Sequence, residues 1–179
     1  VQQGSSQLMH NMFSLESGDF VMLNVRRRFE RLAADDFIQG RALPAGDYEF
    51  SSVDAIVSTN TSRTVSGRAN VTLGNFWNGT RTTYGGSLKW KTGPYLTLTP
   101  AVSRNDIDLP VTGGQFSTTV TSLNVLGAVS RALFANALVQ WDDVSKALQA
   151  NIRIDWIHAP GSDLFVVFNT GYQTGVLLD

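Results

Sequence analysis

The chain has 179 residues, room for one domain, with 42% hydrophobic residues and a formal net charge of −1 at pH 7. These values exclude wholesale disorder and a generally basic nucleic-acid binder. Cysteine is absent, which excludes a disulfide scaffold, a thiolate metal site and a cysteine nucleophile.

No run of about 18 apolar residues reads as a transmembrane helix or a signal-peptide core. A membrane-barrel strand needs only about 9–11 alternating residues and escapes that test. Alternation and turn residues predict ten strands. The first covers 7–15 and ends at Glu16, Ser17, Gly18 and Asp19. The second, 20–30, sets Val21, Leu23, Val25 and Phe29 against Asn24, Arg26, Arg28 and Glu30. A long connection follows, closing on Pro44, Ala45 and Gly46, and leads to a third strand over 47–58.

The fourth strand alternates Val65, Gly67, Ala69, Val71 and Leu73 with Ser66, Arg68, Asn70 and Thr72. Residues 74–79 link it to the fifth, and the Asn78-Gly79 pair suits the positive-φ positions of a tight turn. The fifth carries Tyr84, Leu88 and Trp90 on one side and Arg81, Lys89 and Lys91 on the other. The sixth, 95–104, contains Pro100, which removes a ladder donor and predicts an edge, a bulge or a distortion. A second long loop spans 105–114. Strands over 116–127, 133–141, 146–157 and 164–171 complete the set.

The ninth strand is the clearest. Leu148, Ala150, Ile152, Ile154 and Trp156 share one face, while Gln149, Asn151, Arg153 and Asp155 share the other. This alternation runs straight out of 132–150, a stretch whose Ala, Leu and Lys content would otherwise suit a helix. His158, Ala159, Pro160, Gly161 and Ser162 make the turn into the last strand.

In an up-and-down sheet every second connection lies at the same end. Short turns then gather at one end and longer loops at the other, the asymmetry of outer-membrane barrels. Strands of ten to twelve residues span roughly 33–40 Å, enough to cross an apolar band about 25 Å tall when tilted. Trp77, Trp90, Trp141 and Trp156 fall at strand ends, as an interfacial aromatic girdle requires. Arg26, Arg28, Glu30, Arg68, Lys89, Arg153 and Asp155 are then expected to face a barrel lumen. Arg27 points the other way and must lie near a membrane edge.

Catalytic chemistry finds no residues. His158, Ser162 and Asp163 sit within one tight turn and cannot form a base-bridged triad. Asp106, Asp108, Asp142 and Asp143 are weak candidates for Ca²⁺ in external loops, without the spacing of a known calcium loop. Arg26-Arg27-Arg28 lacks the interleaved aromatics of a nucleic-acid site. No cofactor is expected.

The stretch 136–141, Asn136-Ala137-Leu138-Val139-Gln140-Trp141, and above all 156–169, WIHAPGSDLFVVFN, carry a resemblance. So do Pro44-Ala45-Gly46-Asp47-Tyr48, Asn78-Gly79-Thr80-Arg81 and the stretch 104–110. The chain resembles the C-terminal barrel of large bacterial proteins that join a family-nine-like carbohydrate-binding domain to a C-terminal domain of unknown function. The resemblance spans nearly the whole chain and implies a Gram-negative outer-membrane β-barrel with a carbohydrate connection. Its motifs are structural, and no sugar-binding residue carries over, because the carbohydrate-binding domain is absent.

The expectation is therefore an all-β, antiparallel, up-and-down transmembrane β-barrel occupying 1–179, with about ten strands and part of a larger barrel. Ending at Val176-Leu177-Leu178-Asp179, the sequence lacks the further strand with a terminal aromatic that such barrels carry. The expected role is non-catalytic: a porin-like pore, a plugged barrel or a membrane platform, with the outer-membrane bilayer and another barrel segment or protein as partners. Two other readings compete. One is a soluble β-sandwich or jelly-roll carbohydrate-binding module, with aromatics on one concave face. The other is an extracellular hydrolase with a calcium-supported loop site.

Overall fold

The computed structural model describes residues 2–38, 40–159 and 161–173. Pro160 in the last turn and the terminal Val176-Leu177-Leu178-Asp179 lie outside them. The strands are β1 (Gln2–Ser14), β2 (Phe20–Leu32), β3 (Asp36–Ile38), β4 (Arg41–Leu43), β5 (Gly46–Ser58) and β6 (Val65–Phe76). They continue with β7 (Gly79–Lys91), β8 (Leu96–Asp108), β9 (Gln115–Ala128), β10 (Leu133–Asp142), β11 (Ala147–Ala159) and β12 (Ser162–Gln173). Ten of them form one sheet in the order β1-β2-β5-β6-β7-β8-β9-β10-β11-β12, and β3 pairs with β4 as a separate hairpin.

Successive strands are neighbours throughout that order, so the all-β, up-and-down reading holds. Two stacked sheets with Greek-key crossovers are not what the ladder contains. β1 and β12 end the order, and among the described residues no ladder joins them to make a closed barrel.

By its contacts the chain divides into two compact units. The first comprises Val1–Thr59, Ala69–Gly85 and Arg104–Ser117. In it β2 pairs antiparallel with β1 and β5, and the register sets Asn24 opposite Asp54, Arg28 opposite Phe50 and Glu30 opposite Tyr48. Because side chains alternate, these residues share one polar face, and Val21, Leu23 and Val25 share the other with Val57, Ala55 and Val53. Among the described residues its buried apolar side chains are Leu32, Leu43 and Leu109. They sit on β2, on β4 and in the loop between β8 and β9.

The second unit comprises Asn60–Arg68, Gly86–Ser103 and Thr118–Asp179. Its registers stack whole rows of apolar residues across β10, β11 and β12: Ala135, Ile154 and Val166 in one, Ala137, Ile152 and Phe168 in the next. Leu133, Trp156 and Leu164 form another. Among the described residues nothing in the unit covers this face; Ile154, Trp156, Val166 and Phe168 are 42%, 49%, 54% and 56% exposed. The opposite face is mixed: Gln140, Gln149, Asn151 and Asn169, and Arg153 paired to Asp155 at 2.8 Å, share it with Phe134, Leu138, Phe165 and Val167. Asn124 donates to Asn136, and Asn151 to Asn169, across neighbouring strands.

Several expectations need correction. The connection after β2 is not structureless, since Asp36–Ile38 and Arg41–Leu43 pair as a small hairpin. Residues 105–108 belong to β8, so the second long loop shrinks to 109–114, and Trp77 and Asn78 alone separate β6 from β7. The loop asymmetry therefore rests almost wholly on 33–45. Polar residues such as Asn105 and Asp106 read as loop by type, yet a neighbouring strand supplies ladder partners and extends them. Pro100 lies within β8, between β7 and β9 in the order rather than at an edge. The stretch 132–150 is strand, turn and strand rather than helix, as the alternation requires.

Candidate functional site

The polar face of the first unit concentrates the chemistry. Asn24 is 1% exposed, and its side-chain oxygen meets His10 Nδ1 at 2.6 Å and the Gln7 amide at 3.2 Å. One turn of the pleat along β2, Arg26 Nε lies 3.1 Å from Asp54 Oδ2. The other Asp54 oxygen accepts from the Thr72 hydroxyl at 2.7 Å. A buried carboxylate needs this combination of ion pair and hydrogen bond to offset its desolvation. Glu30 accepts from Gln3 Nε2 at 3.1 Å.

Beyond these pairs opens a cavity of about 280 Å³. Arg26, Arg27, Arg28, Arg81 and Glu30 are its charged lining residues, and Phe50, Phe76 and Trp77 form its apolar wall. The Arg81 guanidinium lies 4.7 Å over the Phe76 ring. Its charged neighbours are Arg28, of like sign, and Asp54, of opposite sign. Among the described residues neither Arg28 nor Arg81 forms an ion pair within bonding distance.

Trp77 holds the wall together. Its ring meets Tyr48 at 4.9 Å and Phe50 at 5.5 Å, both edge-on, the geometry aromatic quadrupoles favour. Trp77 also takes a φ of 55°, a left-handed conformation that bulky residues rarely adopt. The positive φ thus falls one residue before the Asn78-Gly79 pair that the sequence pointed to. Its indole N–H is buried without a hydrogen-bond acceptor among the described residues. Strain and an orphan donor coincide in one residue, a combination that concentrates at functional positions.

The sequence-derived residues distribute as follows. Arg26, Arg28 and Glu30 come together at the cavity with Trp77. Arg68 and Lys89 stand exposed on the polar sides of β6 and β7. Arg153 pairs with Asp155 and lies 5.1 Å over Phe165. Trp90 is exposed at the end of β7, Trp156 is exposed but lies three residues inside β11, which runs on to Ala159, and Trp141 is half-buried beneath the Lys146 ammonium, 5.8 Å from its ring. His158 Nδ1 meets the Ser162 carbonyl at 3.2 Å, which is turn geometry.

The acidic candidates are each engaged locally. Asp106 pairs with Arg104, Asp108 accepts from Gln115, and Asp143 accepts from the Thr119 N–H. Asp142 caps its turn through the N–H groups of Val144 and Ser145. Among the described residues no three His, Asp or Glu side chains gather as a metal cage. Arg81, Asp54, Asn24 and Thr72 were missed as site residues. A signal existed for Asp54, an isolated acid between Val53 and Ala55 in a strand, but its partner follows only from the register.

No family model, no curated protein and no solved structure matches the chain.

Proposed function

We propose that the chain is a transmembrane β-sheet segment of a bacterial outer-membrane barrel, non-catalytic, acting as a pore, a plugged barrel or a membrane platform. The observation that carries this reading is the uncovered, continuously apolar face of β10, β11 and β12, against an opposite face where amide and charged side chains interleave with Phe165 and Val167. Full burial of a Val, Leu, Ile or Phe side chain is worth about 1.5–3 kcal/mol, so water is a poor solvent for such rows. Soluble proteins rarely leave a continuous apolar patch of this kind open. Hydrocarbon would solvate it and leave every ladder hydrogen bond intact.

A second pattern supports the same reading. The apolar-side residues of β2 and β5 change character toward the 33–45 connection, where Arg27 pairs with Glu49 and Arg31 with Asp47. On β8, Leu96, Leu98 and Val102 give way to the Arg104–Asp106 pair toward the connection at the same end of the strand order. Charge on a lipid face costs about 2–4 kcal/mol for Arg at mid-depth but about 0–1 kcal/mol near the interface. Ion pairs confined to one end therefore fit a rim where the apolar band stops. The resemblance of 156–169 to carbohydrate-associated bacterial barrels extends the proposal to a role beside carbohydrate handling.

Detergent dependence tests the proposal. The expressed chain should sediment with outer membranes and stay dispersed only with detergent. A monodisperse, detergent-free monomer would rule the membrane reading out.

A further inference from the structure

We propose that the cavity between β1, β2, β5, β6 and β7 binds the oxyanion group of a small solute, a carboxylate or a phosphate, through Arg28 and Arg81. The cavity brings two guanidinium groups together against an aromatic wall, and among the described residues no carboxylate is bonded to either. Arg26, by contrast, already has its counter-ion in Asp54, and Arg27 pairs with Glu49. The arrangement thus separates satisfied arginines from two left available. Like charges held close in a partly desolvated space repel, and an anion placed between them removes that cost.

A guanidinium fork also matches the planar or tetrahedral oxygens of such a group, giving paired charge-assisted hydrogen bonds. At about 280 Å³ the space admits a small solute rather than a polymer. Phe50, Phe76 and Trp77 offer the apolar remainder of that solute a surface, while Glu30 disfavours a ligand with negative charge at both ends. This inference stands on the cavity and not on what solvates the apolar face.

Inorganic phosphate is the probe, titrated calorimetrically into the folded full chain, in detergent if the chain needs it. Saturable binding is expected. Arg28→Gln and Arg81→Gln should each weaken it by about tenfold or more, because a hydrogen bond to a charged group contributes about 1.5–3 kcal/mol. Arg68→Gln, on the polar side of β6 but away from the cavity, should leave affinity unchanged. Circular dichroism confirms that each variant retains its strands. Absence of saturable binding would overturn the proposal, as would equal weakening by all three substitutions, the mark of diffuse charge attraction. A chain that proves soluble without detergent would end the membrane reading and leave this test standing.

Discussion

Single residues set what the polar face of the first unit can do. Asp54 joins β2 to β6 by taking Arg26 with one oxygen and Thr72 with the other. Replacing it with Ala strands a hydroxyl and a guanidinium, and Arg26 is half exposed, so water recovers part of the loss. Asp54→Ala should lower unfolding free energy by about 1–3 kcal/mol, read from denaturant midpoints. Trp77 separates two contributions. Trp77→Phe keeps an aromatic ring against Tyr48 and Phe50 and removes the orphan N–H, so it should cost less than about 1.5 kcal/mol. Trp77→Ala should cost about 3–5 kcal/mol in the same assay. Equal losses for the two would mean that ring packing is not what the residue contributes.

At the scale of strands, alternation does most of the specification. The period of two in 148–156 was legible directly, because every second residue must serve one face, and β11 keeps it over those residues, its register shifting only between Ile157 and Ala159. The ten sheet strands were legible for the same reason. The β3–β4 hairpin was not, since three-residue strands carry too little period to stand out from a loop. The extension of β8 through Asn105 and Asp106 was hidden because polar residue types signal loops unless a neighbouring strand offers pairing.

Close approach is another property of elements that residue types conceal. A Cβ on Gly79 would fall 2.0 Å from the Asp108 carbonyl oxygen, so the start of β7 meets the end of β8 only through glycine. Gly79→Ala should destabilise the fold by about 1–3 kcal/mol, visible as a lowered midpoint. The two faces of β11 give a sharper contrast. Ile154→Arg should cost about 2–4 kcal/mol in folding into lipid vesicles, whereas Gln149→Arg on the polar face should stay within about 0.5 kcal/mol. Similar small effects at both positions would mean that water bathes both faces.

For the molecule as a whole, the sheet is assembled with almost no buried apolar core among the described residues. Leu32, Leu43 and Leu109 are the exceptions, all in the first unit. The candidate site was only half legible. Arg26, Arg28 and Glu30 follow from alternation along one strand, but Arg81 and Asp54 join them through the pairing order of β2, β5, β6 and β7. Sequence separation hides that convergence, just as it hides the aromatic wall built from Phe50, Phe76 and Trp77.

The absence of cysteine makes the central claim directly measurable. Single cysteines can be introduced one at a time from residue 148 to residue 156, spin-labelled and reconstituted into phospholipid vesicles. Collision rates with oxygen, which concentrates in hydrocarbon, and with a water-soluble nickel chelate then report the surroundings of each position. The account predicts oxygen dominance at Ile152, Ile154 and Trp156 and nickel dominance at Asn151, Arg153 and Asp155, alternating with period two. Nickel access as high at Ile152 and Ile154 as at Asn151 and Arg153 would contradict it.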